Sequence, residues 1–199
     1  MTLDGLTLCA LIRELSAPLA GAKIEKINMP QKDEAILLLH TREGKKRLLL
    51  SASGSDPRLH LTAQQKPNPD KAFNFCMFLR KYLSGGRIEQ IAQEGLERVV
   101  RMDIAAKDEM GIPCRYALYT EIMGKYSNII LVHENGKIMD SIKHISVDTS
   151  SKRQVLPGVR YELPPMDKTN PLEAESGEIA AAVSGKNLPY GLVEALEPG

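Results

Sequence analysis

An α+β domain, mostly antiparallel strands with two main helices, is the fold the chain predicts. Three observations lead there. Short runs of alternating apolar and polar residues recur from residue 23 onward, the clearest helical periodicity lies at residues 3–15 and 71–83, and turn residues such as Asn135-Gly136 separate neighbouring runs. A chain of 199 residues can bury one good core, so one large domain plus a fragment is expected rather than two complete domains.

In the first helix Leu3, Leu6, Leu8, Leu11, Ile12 and Leu15 recur near helical spacing, with Asp4 at its start and Pro18 and Gly21 to close it. Residues 23–28, 35–40 and 46–51 read as an antiparallel meander separated by Pro30 and by Glu43-Gly44. Residues 58–62 add a short extended piece before a loop rich in Gln, Pro and Asn. The second helix offers an apolar face of Phe75, Phe78, Leu79 and Tyr82, a basic edge of Arg80 and Lys81, and a stop at Gly85-Gly86. Strands at 87–93, 98–106, 114–122, 129–132 and 137–142 follow. Val100, Met102 and Ile104 share one face, and Gly111 and Asn135-Gly136 mark turns. Residues 146–153 form a polar loop, and helical patterns return at 172–183 and after Leu188-Pro189.

The net charge is +1, unevenly spread. Residues 1–160 hold 24 Lys and Arg against 18 Asp and Glu, a net of +6, while residues 161–199 hold 2 against 7, a net of −5. A mildly basic body suits an anionic partner such as RNA, and it equally suits an ordinary solvated surface. Cys9, Cys76 and Cys114 have no CxxC spacing and read as reduced core thiols. The four histidines are scattered, without a local metal signature. Charges at Asp4, Arg13 and Glu14 argue against a signal peptide, and no run reaches the length of a membrane span, so a cytoplasmic protein without membrane contact is expected.

Glu121-Ile-Met-Gly-Lys-Tyr-Ser-Asn-Ile-Ile-Leu131 concentrates polar groups between two strand-like runs. It reads as a tight turn, with Gly124 free to take positive φ and Asn128 tolerant of it. By spacing alone it is an ordinary polar hairpin or a place to meet a ligand. Gly95-Leu-Glu97-Arg98 is the second constellation, at a strand start. Arg98 offers a planar fork for phosphate or base, and Glu97 a carboxylate to orient it; the simpler alternative is a surface ion pair. Lys45-Lys46-Arg47 and Lys152-Arg153 are the densest basic runs, candidate phosphate contacts at most. No Walker loop, zinc motif or GxSxG occurs.

The stretch from Glu121 to Leu131 resembles the signature of the NFACT family. Leu3-Asp-Gly5, Lys46-Arg-Leu-Leu-Leu-Ser-Ala52, Arg58-Leu-His-Leu-Thr62, Phe75-Cys-Met-Phe-Leu-Arg-Lys81, Gly85-Gly-Arg-Ile88, Asp140-Ser-Ile-Lys143 and Val155-Leu-Pro-Gly158 match it in order. The resemblance implies an amino-terminal domain over residues 1–170, similar in fold to that of formamidopyrimidine-type DNA glycosylases, and the start of a helix-hairpin-helix module at 171–199. It implies binding to the obstructed large ribosomal subunit with peptidyl-tRNA, and recruitment of alanyl-tRNA for mRNA-independent alanine tailing of stalled chains.

Under the same resemblance, Glu97-Arg98 corresponds to an Asp-Arg pair that contacts tRNA, and Glu121, Ile122 and Met123 to a second contacting triplet. The extra methylene of Glu97 shifts its carboxylate by about 1.5 Å. Lys125-Tyr126 stands where the family has Arg-His, keeping the charge and a ring without the guanidinium fork. No cofactor is implied and no enzymatic step, since peptide bond formation belongs to the ribosome. The proline and glutamate of glycosylases are replaced at the start by Thr2-Leu3. The family's older name carries a rival, a surface adhesin that binds fibronectin, and a glycosylase-like enzyme is a weaker third reading.

Overall fold

The structure, a computed structural model, describes residues 3–108, 110–148 and 153–165. Asp4, extended in backbone, accepts a 2.6 Å hydrogen bond from the Thr7 amide and so starts helix α1 (Gly5–Leu19), which buries Leu8, Ile12, Leu15 and Leu19. Pro18 lies inside the last turn rather than beyond it. So near the end its missing N–H interrupts little of the ladder, and the Ala20 amide still closes onto the Ser16 carbonyl at 3.0 Å.

Strands β1 (Lys23–Gln31), β2 (Glu34–Thr41), β3 (Gly44–Ser51) and β4 (Arg58–Leu61) form the expected meander. Pro30, expected between strands, sits within β1. The β1–β2 register slips between Asn28 and Gln31, an irregularity at which a residue without an N–H is tolerated. Helix α2 (Asn74–Leu83) starts later than residue 71 and buries Phe75, Cys76, Leu79 and Leu83, with Phe78 and Tyr82 only partly covered. Strands β5 (Arg87–Gln93), β6 (Val99–Lys107), β7 (Pro113–Glu121), β8 (Asn128–His133) and β9 (Ile138–Ser141) follow, with a 3₁₀ turn (Gly124–Tyr126) between β7 and β8.

The nine strands of the described residues join one antiparallel sheet, in the order β4-β3-β2-β1-β5-β6-β7-β8-β9. The β1–β5 seam is narrow, pairing Lys23 with Arg87, and both strands carry a register shift beside it, at Ile24/Lys26 and Ile88/Gln90. Such bulges bend a sheet. The bend brings β3 close to β8, although five strands lie between them in the order. Leu48 and Leu50 of β3 consequently share a core with Ile129 and Leu131 of β8, and α1 and α2 add to the same core. A smaller cluster of Val99, Ala117, Tyr119, Ile130, Val132 and Ile138 covers the opposite face of β6–β9, closed by Val155 and flanked by Ile145 and Tyr161. The helical module expected at 171–199 lies outside the described residues.

Candidate nucleic-acid interface

The β6–β7 register pairs Val99 with Glu121, and beyond the pair the Ile122 amide donates to the Arg98 carbonyl at 2.8 Å. The two stretches singled out in sequence are therefore neighbours at one end of the sheet. The turn before β6 is closed by Glu94 N–H to Val99 O and Glu97 N–H to Glu94 O, both 3.0 Å. Gln93 then ties it to the first helix, its Nε2 donating at 2.9 Å to the carbonyls of Glu97 and Gly5. A Cβ at position 5 would overlap the Leu96 carbonyl oxygen, so glycine is what lets the start of α1 dock here. Glu97 and Arg98 are both half-buried. Burial raises the Glu97 pKa, against the opposing pull of the Arg98 charge.

After Glu121 the chain alternates between inside and outside. Ile122 is buried in the larger core and Met123 is half-buried. Gly124 takes the expected positive φ, 53°, and Lys125 and Tyr126 project into solvent. Ser127 and Asn128 then turn inward and are fully buried. Ser127 Oγ accepts from the Met123 amide at 2.8 Å, bracing the turn from below. No residue but glycine has positive φ among those described, so Asn128 is not the left-handed residue its type suggested. It sits in β8 because its amide is committed across the sheet, donating to the Lys143 carbonyl at 2.8 Å and accepting from the Lys143 amide at 3.1 Å. The Lys143 ammonium in turn donates to the Ala52 carbonyl at 2.6 Å. Burial lowers its pKa, Asp33 opposing and Lys32 reinforcing that shift. The loop after β3 thereby joins the same end, and a Cβ at Gly54 would lie 3.5 Å from the Lys125 Cα.

Glu121 itself faces the other way. It is 1% exposed and gripped by Arg153 in a fork, at 2.7 and 3.0 Å, while the Tyr161 hydroxyl donates to its Oε1 at 2.9 Å. Tyr161 stacks on Tyr119 with ring centroids 3.9 Å apart, and the Arg153 guanidinium lies over the Tyr161 ring at 5.1 Å. Burial and then the Glu121 charge push the Tyr161 hydroxyl well above its ordinary pKa. Burial works against the Arg153 charge, yet the Glu121 hydrogen bonds and charge outweigh it and raise the Arg153 pKa. Among the described residues, then, the Glu121 carboxylate is occupied by a clasp holding the segment after residue 153 onto the sheet. Arg153, read in sequence as a candidate phosphate contact at most, is half-buried as its partner, where the attraction between guanidinium and carboxylate is less screened than in water.

The other basic run, Lys45-Lys46-Arg47, lies on β3, where Lys45 pairs with Glu25 at 3.4 Å and Lys46 with Glu43 at 3.2 Å. Cys9, Cys76 and Cys114 are free thiols, and burial raises the pKa of Cys76. Among the described residues no group of three or more His, Cys, Asp and Glu is placed to hold a metal, and no helix is long and apolar enough to cross a membrane. The sequence reading missed Arg153 and Tyr161 as partners of Glu121, and Lys143 as the partner of Asn128. They lie 32, 40 and 15 residues from the groups they hold, beyond any local spacing signal.

A family model for the NFACT N-terminal and middle domains matches residues 4–197. The Rqc2 homolog RqcH of Bacillus subtilis is 41% identical over 186 residues, 92% of this chain and 33% of that protein. The chain spans about a third of the length of the curated bacterial relatives it matches. Two solved structures superpose closely. The N-terminal domain of the fibronectin-binding protein PavA from Streptococcus pneumoniae gives a TM-score of 0.88 at 36% identity, covering 98% of this chain and 74% of that one. The N-terminal part of the fibronectin/fibrinogen-binding protein of Streptococcus suis gives 0.89 at 36% identity, covering 100% and 75%. With both motif-bearing turns at one end of the sheet and the family model matching nearly the whole of this chain, the chain belongs to the NFACT family.

Proposed function

We propose that this chain is the tRNA-contacting amino-terminal part of a ribosome quality-control factor. On this reading residues 1–170 form the binding domain and 171–199 open a helix-hairpin-helix module. In the cytoplasm, the full-length protein binds the obstructed large ribosomal subunit with peptidyl-tRNA and recruits alanyl-tRNA for alanine tailing. It positions tRNA and catalyses no step itself.

The observation that carries the reading is the hydrogen-bonded junction of the Glu97-Arg98 turn with the 122–126 turn, which gathers Arg98, Met123 and Lys125 at one end. Arg98 supplies a fork for phosphate or base, and Lys125 a point charge for phosphate. Glu97, partly desolvated beside Arg98, orients that fork. Ile122 and Glu121 contribute from beneath, one by packing and one through its clasp.

The test is a titration of alanine-specific and bulk tRNA into the chain and into Arg98→Ala and Lys125→Ala variants at two salt concentrations. Salt-sensitive binding that weakens in both variants supports the reading. Unchanged binding and tailing by the same variants in a folded full-length protein overturns it. The names of the two solved neighbours favour a second reading, a fibronectin-binding adhesin. It predicts surface exposure on intact cells and fibronectin binding by this chain without ribosome association.

A further inference from the structure

Tyr126 is 65% exposed, and it is the one aromatic ring so exposed among the described residues. Exposed tyrosines often have no role, but this one is mounted unusually firmly. Its own amide donates to the Met123 carbonyl and the Ser127 amide to the Gly124 carbonyl, both at 3.0 Å, so the turn beneath it is closed twice. Ser127 and Asn128, fully buried, root that turn in the sheet, and the Gly54 loop packs against it from the side. The ring therefore meets solvent from a fixed base and loses little conformational freedom when something lies on it. The Lys125 ammonium lies over the ring, 5.0 Å from its centroid, which places a cation against one aromatic face. An exposed ring with a cation over one of its faces matches one ligand chemistry well, an unstacked nucleobase on the ring and its adjoining phosphate on the ammonium. Base-paired RNA does not offer that face, because its bases are stacked on each other.

We propose that Tyr126 is a stacking platform for an unpaired base, with Lys125 gripping the neighbouring phosphate. This rests on reading this end of the sheet as an RNA contact, and it adds that the contact is to single-stranded rather than duplex RNA. Stacking of this kind contributes roughly 5- to 150-fold in affinity.

The experiment uses the whole 199-residue chain, with short single-stranded RNA carrying 2-aminopurine, a blunt RNA duplex, and tRNA as the three probes. Thermal melts first establish that Tyr126→Phe, Tyr126→Leu and Tyr126→Ala fold as the parent does. The expected result is quenched 2-aminopurine fluorescence and single-strand binding that Tyr126→Phe keeps but Tyr126→Leu and Tyr126→Ala lose by at least about fivefold, with duplex binding unchanged. Single-strand binding equal in all variants, equal affinity for strand and duplex, or no single-strand binding at low salt overturns the proposal. The tRNA arm separates the two readings. If tRNA binds equally well without the ring, stacking falls and the tRNA reading stands. If tRNA fails to bind while single-strand affinity depends on the ring, the reverse holds.

Discussion

Glu121 and Lys125 stand four positions apart in one motif and meet opposite environments. Glu121 is enclosed on the outer face of β7 by Arg153 and Tyr161, whereas Lys125 and Tyr126 stand in solvent on a turn braced by Ser127 and Asn128. A buried charge is worth what its partners make of it, and an exposed one is largely screened. The same motif thus holds a region that stabilises the fold and a region free to touch a partner, and substitutions should separate the two.

The largest expected effect is on the clasp. Glu121→Ala leaves the largely covered Arg153 charge without its carboxylate, at a cost of about 3 kcal/mol in urea unfolding. Replacing both partners, Glu121→Leu with Arg153→Met, should recover most of that loss, since no uncompensated charge remains. A double variant as unstable as the single one would mean that the clasp does not act through charge.

Asn128→Ala comes next, at about 2 kcal/mol, because the Lys143 amide loses its acceptor in a part-buried setting. Loss of hydrogen-exchange protection at the Lys143 amide is the local readout.

At the tip the ranking turns from stability to affinity. Lys125→Ala should change stability by less than about 0.5 kcal/mol. If it meets a phosphate, it should lower the slope of log affinity against log salt by about 1. An unchanged slope would remove Lys125 from the contact.

The smallest effect is at Glu97 and depends on pH. Its folded pKa lies above its ordinary 4.5, so the favourable contribution of this group is full below that pH and is lost as pH rises through the folded value. Glu97→Gln should therefore be neutral or slightly stabilising at neutral pH, with its relative advantage disappearing below about pH 4.5. A stability loss in Glu97→Gln that is present at neutral pH and vanishes as the carboxyl is protonated would show that the carboxylate is held by a specific bond instead of being penalised by burial.

Much of the fold was legible because it is local. Period-two alternation marked the strands from Lys23 onward, Asn135-Gly136 marked a hairpin, and Asp4 marked the start of α1. The misreadings were equally local. Pro30 reads as a breaker unless an irregular register receives it, and Asn128 reads as a turn residue unless a distant backbone takes both ends of its amide.

The sequence by itself determined the order of elements and the glycine at 124, which follow from residue type and spacing, and its resemblance to the NFACT family marked the two stretches in which contacts are expected. Only the tertiary structure decided that those stretches are hydrogen-bonded neighbours, that Arg153 is drawn under cover against Glu121, and that Glu121 is closed off while Tyr126 is open. Those outcomes depend on which side chains from 32 and 40 residues away reach one carboxylate when the sheet folds, and burial is a property of what arrives from elsewhere in the chain.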